Sequence, residues 1–591
     1  MTVALAAAIL LTSCILDAHA VSITDIQGVS FQSPYAGLYV HDVTGVVAAK
    51  DAYGFWLIGD PVDDLRASNG IRVYGRNVAR LANVGDLLTL SGQVTEYRFP
   101  TRIDDLLLTE IEFPSNVHVL SSGHELSPVV LGEDRIPPRQ GFSPLDKGRD
   151  GWLSVPNNVT LNEAVNATLQ PDKYGLDFWE SLEGQLVTVK SPVATGFPDR
   201  FGSFWVHGAW PVSGKNSRGG LSLAFVISEP EFVVAPASIH ATQDPCELTI
   251  GDYNVENMSP RSNHIPRIAD HIANYLNAPD IVFVQEIQDD SGERDDGVVG
   301  ANRTLSNLAK AISRASGGVK YDFVNVPPVN NMDGGKPGSN IRVAYLWRPE
   351  KVSLLPGYHI GNATQATEAV VDKDGNVSLS FNPGRIDPTS PAWEETRKPL
   401  AAAWQTTTGE RFFTVNVHLS SKRDSSSAHG DARPPVNGHS ERRTMQVNVT
   451  AHFIESILSK DANASVILAG DMNEFVQTRS VFHPLSGLVT DINELSGVDP
   501  VERYTYVYDQ HSQEIDHIFV SDAIGRRGTA VEHVHVNTWA PSVGERASDH
   551  DPTVAKVRVC EGVGAGEGLQ SQDRSAYGPK LVVQGPDSQV P

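Results

Sequence analysis

The sequence predicts an α/β domain over residues 246–560, preceded by an all-β unit at 21–121 and a β-rich middle region at 122–240. Three observations carry this reading. Short β-type runs broken by Gly, Asp and Asn turns fill residues 21–121, the spacing of a small barrel or sandwich. After Pro245 continuous apolar runs alternate with helical periodicity, which implies sheets covered by helices. Just past each buried run stands an Asn, Asp, Glu or His. At 591 residues the chain is too long for one core, so about two or three domains are expected.

In order, residues 1–20 contain an apolar core, Val3 to Leu11, and end Asp17-Ala18-His19-Ala20. That is a small-x-small signal-peptidase pattern, and the run is too short to span a bilayer. Secretion is the expectation, with a lipoprotein box at Leu11-Thr12-Ser13-Cys14 as the second reading. The all-β unit carries Leu38–Val40, Gly45–Val47, Gly54–Ile58, Gly70–Tyr74 and Asp86–Val94. Their order resembles the OB-type domain found ahead of some secreted nucleases. Phe55, Trp56, Tyr74, Tyr97, Arg98 and Arg102 fit a stacking face for single-stranded nucleic acid, and equally fit barrel core and rim. The middle region opens on a Pro/Gly-rich connector, Leu131 to Gly151. In it Phe201–Gly208 echoes Tyr53–Gly59, pointing to a second barrel-like unit. Residues 561–591, rich in Gly, Gln, Ser and Pro, read as a flexible tail.

A net charge of −24 argues against an architectural nucleic-acid binder, which needs an excess of Lys and Arg. It leaves room for an enzyme that meets phosphates through a bound cation and a few arginines. No run after residue 20 approaches a membrane span, and no obligate protein partner is evident. Cleavage after Ala20 leaves Cys246 and Cys560, just outside the first and last strand-like runs of the α/β domain. An oxidising compartment favours a disulfide between them; two buried thiols are the alternative. Sequons at Asn158, Asn166, Asn257, Asn302, Asn362, Asn376, Asn448 and Asn463 suit a secretory route.

Within the α/β domain strands are expected at Leu248–Ile250, Ile281–Val284, Ile341–Trp347, Leu400–Trp404, Phe412–Val417 and Val466–Ala469. Helices are expected at His264–Leu276, Thr304–Ala315 and Ser440–Leu458. The polar residues past the runs are Asn254, Glu286, His418, the pair Asp471 and Asn473, Asp516, and Ser548-Asp549-His550. Strands deliver such residues to one sheet edge, where ligand sites form in α/β folds. The set suits metal-assisted hydrolysis of a phosphodiester. Glu286, with Asn254 and Asp549, offers hard oxygen ligands for Mg²⁺, with Mn²⁺ or Ca²⁺ as alternatives. His418 and His550 offer a base and an acid, and Asp516 is the carboxylate to orient His550.

Tyr-Asn254-Val-Glu-Asn, Val-Gln-Glu286-Ile, Ile-Arg342-Val-Ala-Tyr, Asn-Val-His418-Leu, Gly-Asp471-Met-Asn473-Glu, Ile-Asp516-His-Ile-Phe and Ser-Asp549-His550-Asp-Pro stand in one order. Together they resemble the endonuclease/exonuclease/phosphatase family, over about Cys246 to Cys560. The resemblance implies a four-layer α/β sandwich with one divalent-metal site between two sheets. It also implies roles: Glu286 ligates the metal, Asn254 holds metal or phosphate, and Asp471 orients or deprotonates the attacking water. Asn473 bonds the scissile phosphate, Asp516 orients His550 as base or phosphate stabiliser, and His418 protonates the leaving oxygen. Arg397, in Thr-Arg-Lys-Pro-Leu, resembles the family's phosphate-contacting arginine, and Arg342 is grouped with it as substrate-binding. One departure stands out. Ser339-Asn340-Ile341-Arg342 supplies no carboxylate to support His418, which makes His418 a phosphate ligand as readily as an acid.

Taken singly, each of these residues has a structural explanation as turn, strand end or ion pair; His207, His452, His533 and His535 are left as structural. The loop Ser420 to Arg433, with His439, Arg442 and Arg443, is locally basic and is a candidate backbone clamp. The expected function is a secreted, metal-dependent nuclease acting on DNA, and on RNA, with little sequence preference. The alternatives are a phosphodiesterase or phosphatase acting on sphingomyelin or an inositol phosphate, and an inert binding module led by the N-terminal domain.

Overall fold

A computed structural model describes residues 21–560, apart from 139–140, 148–152, 195–204, 209, 211–220, 223–233, 500–501, 509–510 and 541. The expected signal peptide, the tail and the first half of the 201–208 echo lie outside the described residues.

Alternating apolar residues close the N-terminal strands on themselves. Tyr39–Lys50, Gly54–Ile58, Gly70–Tyr74, Leu87–Tyr97 and Leu108–Ser121 form a closed barrel in which the last strand lies between the third and fourth. Val43, Val47, Phe55, Leu57, Ile71, Val73, Leu88, Leu90, Val94 and Ile111 fill its interior. For Phe55, Trp56, Tyr74 and Arg98, which fitted either a stacking face or barrel core and rim, the contacts are those of core and rim. Phe55 is a core side chain, Trp56 and Tyr74 lie beside the Arg72 guanidinium at 5.2 and 5.7 Å, and Arg98 pairs with Glu163.

The middle region is bound to both neighbours. The Glu183 carboxylate accepts from the Thr109 N–H of the barrel at 2.9 Å. The strand Thr160–Leu161 pairs antiparallel with Ala432–Arg433 of the C-terminal domain. Beside that pair the wholly buried Arg433 guanidinium grips the Asp146 carboxylate, Nε to Oδ1 at 2.7 Å.

The C-terminal domain is two sheets packed face to face. One runs, edge to edge, Asp322–Val324, Arg342–Trp347, Ile281–Ile287, Glu247–Met258, Thr553–Arg558, Thr529–His533. The other runs Val352–Leu354, Leu400–Thr406, Arg411–His418, Val466–Asp471, Asp516–Ser521, Val489–Asp491, with Gly384–Arg385 added beside Leu400–Thr406. Ile250, Phe283, Tyr345, Trp404, Phe412, Ile467, Ile518 and Val557 interlock between them. Because both faces of each sheet are covered, the strands need apolar residues at every position, which is why they read as unbroken runs. Asn302–Ala315 and the segment Ile265–Tyr275 cover the first sheet through Leu305, Leu308, Ile268 and Ile272. Ser440–Leu458 covers the second through Val447, Ala451, Ile454 and Ile457. The result is the expected four-layer sandwich.

The first and last strands of the domain are neighbours, Glu247 opposite Arg558 and Leu248 opposite Val557. That register places Cys246 beside Cys560, and the two form a disulfide with Cα atoms 5.2 Å apart.

Candidate active site

The strand register assembles the site. Parallel pairing sets His418 opposite Asp471, and antiparallel pairing sets Asp471 opposite Asp516, so the three stand in a row along one sheet edge. From the other sheet Asn254 lies opposite Gln285, one residue before Glu286. Glu286 takes φ +61° where the pairing register shifts. A bulge of this kind re-aims a side chain at a cost of roughly 1–3 kcal/mol. Asn473 (φ +49°) and Glu256 and Asn257 (φ +46° and +49°) share the same strained region at the rim. Of these residues Glu286, Asn257, His418, Asp471 and Asn473 border a cavity of about 750 Å³.

Asp516 Oδ2 lies 2.7 Å from His550 Nδ1 and also accepts the Thr505 hydroxyl. The other imidazole nitrogen, Nε2, points toward Asp471 Oδ2 at 3.8 Å. Burial opposes charge on His550, yet Asp516 and Asp471 outweigh it and hold the imidazole well above its usual pKa. Burial pushes Asp471 up to about 7, against the pull of His550 and with Asp516 and Glu286 adding to it. Its Oδ1 accepts the Asn473 backbone N–H at 2.9 Å, which fixes its orientation.

His418 behaves differently from His550. Its Nε2 stands 3.3 Å from Asp471 Oδ2, and its buried Nδ1 has no hydrogen-bond partner among the described residues. Burial, with Arg397 and His550 nearby, holds it well below its usual pKa, so it is neutral. Among the described residues no carboxylate bonds that Nδ1, and Asn340 turns its amide to Asp289 at 2.9 Å. A leaving-group acid at His418 is therefore not what the geometry offers.

Two further sequence assignments are corrected. Arg342 is buried and does not reach the cavity; its guanidinium donates to the Asn340 and Val299 carbonyls and to Asn325. It braces a loop and is unavailable to substrate. Asn254 presents its NH₂ to Asp471 at 3.0 Å and to Glu286 at 3.3 Å, while its Oδ1 accepts the Glu256 N–H. As placed, it spaces the two carboxylates rather than offering oxygen to a metal. Arg397 does line the cavity, with one donor on Leu419 O at 2.8 Å and a buried Nε left over for an anion. Asp549 lines the cavity next to His550.

The basic loop divides. Arg433 and Arg443 are fully buried and spent on Asp146 and Glu474, so neither clamps a substrate. Lys422 reaches the cavity, its Nζ 2.7 Å from Asn437 Oδ1 and 3.4 Å from the centre of the Phe475 ring.

Sequence reasoning missed the supports behind the site. Asn537, wholly buried, accepts the Ala547 and Ser548 N–H groups and donates to the His550 carbonyl, which shapes the Ser-Asp-His turn. Ser548 Oγ donates to Asn254 O at 2.7 Å and so locks that turn to the first sheet. Gln285 Nε2 bridges Asp252 and Asn416 across the sheets. Nothing local in the sequence marks a buried Asn or Gln as a brace rather than a turn residue.

A divalent cation fits this arrangement. Glu286, Asp471 and Asp516 crowd negative charge into one buried cleft, and burial, with Asp516 and Glu286 adding to it, raises Asp471. Glu286, bound through Oε2 to the Asn257 N–H, is the carboxylate placed to hold such an ion.

Two facing sheets with a carboxylate opposite an Asp–His pair define a phosphoester-hydrolase fold of the metal-dependent class. Residues 253–550 match the model of the endonuclease/exonuclease/phosphatase family, and the chain belongs to that family. Residues 130–258 match a domain of unknown function. Among solved structures the chain is similar to D. rerio TDP2 complexed with single strand DNA product, at 19% identity and TM-score 0.34, covering 53% of this chain and 98% of that one. It is likewise similar to truncated Caenorhabditis elegans TDP2, at 17% identity and TM-score 0.33, covering 53% and 97%. A family protein from Bacteroides thetaiotaomicron is similar at 18% identity and TM-score 0.33, covering 53% and 94%. No curated protein matches the chain.

Proposed function

We propose that the protein is a secreted, divalent-metal-dependent nuclease that hydrolyses phosphodiester bonds of DNA, and of RNA, with little sequence preference. The observation that carries this is the Asp516–His550 pair facing Asp471, with Glu286 across the same cleft. A cation such as Mg²⁺ held by Glu286 would neutralise charge on the phosphate oxygens. Asp471, poised near neutrality and oriented by Asn473, takes the proton of the attacking water. His550, kept cationic by Asp516, donates from Nε2 to the phosphate as it gains charge. Neutral His418 and the spare Arg397 Nε supply further phosphate donors.

The polymer substrate is supported by what surrounds the phosphate position. Tyr506, Tyr508 and Phe475 line the cavity, and aromatic faces accept any base because every base has a π-face. Secretion is supported by the disulfide and by the exposure of Asn158, Asn166, Asn302, Asn362, Asn376, Asn448 and Asn463. No helix among the described residues is long and apolar enough to cross a membrane.

The test is a panel: mature protein with plasmid DNA, RNA, sphingomyelin, an inositol phosphate and an aryl phosphodiester, each with Mg²⁺, Mn²⁺, Ca²⁺ or EDTA. Plasmid nicking that EDTA abolishes is expected. Turnover of the lipid or inositol substrate with intact plasmid under every cation would overturn the nuclease reading.

A further inference from the structure

Successive residues of a strand point to opposite faces, so His517 turns away from the catalytic row that Asp516 joins. Its Nε2 donates to the Glu474 carbonyl at 2.8 Å, and its Nδ1 points at two other carboxylates. Asp491 Oδ2 is 3.6 Å away and Glu514 Oε1 is 3.8 Å away, and the three donor atoms all lie within 4.8 Å of one another. His517, Asp491 and Glu514 are 1%, 3% and 8% exposed. Among the described residues neither His517 Nδ1 nor Asp491 Oδ2 has a hydrogen-bond partner, and the two face each other as a long ion pair.

Those separations are too long for hydrogen bonds, which end near 3.2 Å for N–H···O. They approach the roughly 3.4 Å that ligands keep when each lies about 2.0–2.1 Å from one tetrahedral ion. Against its burial, and with no ion present, Asp491 and Glu514 hold the ring protonated, raising it to about 9. Nε2–H is committed to Glu474, so the proton a cation would displace is the one on Nδ1. The carboxylates are held from behind, as outer partners hold metal ligands. Asp491 Oδ1 accepts the Asn493 N–H at 2.8 Å, and Asn493 Nδ2 donates to Glu514 at 2.8 Å. Asn493 Oδ1 is in turn 2.9 Å from His533 Nε2. A dication with two carboxylates and a neutral imidazole is neutral overall, which removes the cost of isolated buried charge.

We propose that Asp491, Glu514 and His517 form a structural binding site for a zinc-class divalent cation, separate from the catalytic centre. The mixed nitrogen and oxygen donor set selects a borderline transition metal over Mg²⁺. Glu514 also lines the catalytic cavity, which gives the ion a route in. Bound there, the ion ties the end of Val489–Asp491 to the segment that carries Asp516, and so holds the carboxylate that orients His550. This inference does not depend on the nuclease reading.

Two measurements test it. Crystals of the full mature chain soaked in Zn²⁺ are expected to show an anomalous peak at the zinc edge within about 2.3 Å of His517 Nδ1. Chelator-washed protein carrying Glu286→Gln, reloaded with Zn²⁺ and desalted, is expected to retain about one equivalent by mass spectrometry. Asp491→Asn and His517→Gln, each added to that variant, are expected to lose it while keeping a native circular dichroism spectrum. Peaks only at Glu286, Asp471 or His550, or zinc retention unchanged by both added substitutions, would overturn the site. If either added variant misfolds, the crystal peak alone decides.

Discussion

Replacing Asp516 by Asn tests the relation between the two halves of the catalytic row. The carboxylate lies 2.7 Å from His550 Nδ1, both groups buried. At an effective dielectric constant of about 20, unit charges at that distance attract by roughly 6 kcal/mol. The amide keeps a carbonyl for the Nδ1 hydrogen, so about 1–2 kcal/mol of hydrogen bonding survives. The remainder, about 4 kcal/mol, is charge that holds His550 as an imidazolium, and its loss from the transition state lowers kcat by ~10³-fold. The assay is steady-state hydrolysis of a short DNA duplex and of an aryl phosphodiester with Mg²⁺, alongside circular dichroism to confirm folding. KM should change little, because the interaction strengthens only as the phosphate gains charge. A folded variant with kcat within threefold of wild type, or with only KM altered, would refute the role assigned to Asp516.

Burial lowers Lys422 to about 7, so it is charged below that pH and neutral above it. KM for DNA should therefore rise as pH climbs through about 7. In Lys422→Met that component of the pH profile should be absent, and an identical profile in both proteins would exclude Lys422 from binding. Cys246→Ser with Cys560→Ser removes a link between positions 314 residues apart and should destabilise the C-terminal domain by about 3–5 kcal/mol, read from denaturant unfolding. Asp146→Asn leaves the buried Arg433 charge unpaired and should cost about 3–5 kcal/mol. Limited proteolysis should then cut first near Thr160 or Ala432, where the middle region meets the cavity-lining loop; unchanged resistance would mean the contact is dispensable.

The sandwich was legible because its strands are buried on both faces, and Ile281–Val284 or Val466–Ala469 has no other reading. The site was legible for a related reason: a polar residue directly after a buried run stands at the sheet edge, as His418, Asp471 and Asp516 do. Residues fixed by tertiary contacts alone were not legible. Arg342 and Arg443 resemble surface cations in sequence, yet each is wrapped by backbone carbonyls supplied by distant loops. Asn254 sits where its motif puts it, and only the neighbouring carboxylates decide which end of its amide faces the cleft. The short strands Val489–Asp491, Tyr506–Tyr508 and His511–Gln513 carry too few residues for a period to show, so the second carboxylate–imidazole cluster was out of reach.

The central claim is that Asp471 and His550 act together on a phosphodiester. Single-turnover cleavage of an end-labelled DNA oligonucleotide, with enzyme in excess and Mg²⁺ present, measures it directly. Wild type should cleave at many positions. Folded His550→Ala and Asp471→Asn should each lose at least ~10³-fold in rate, and the double variant should lose little more than either, as residues that work as a unit do. Cleavage by either single variant within tenfold of wild type would contradict the account.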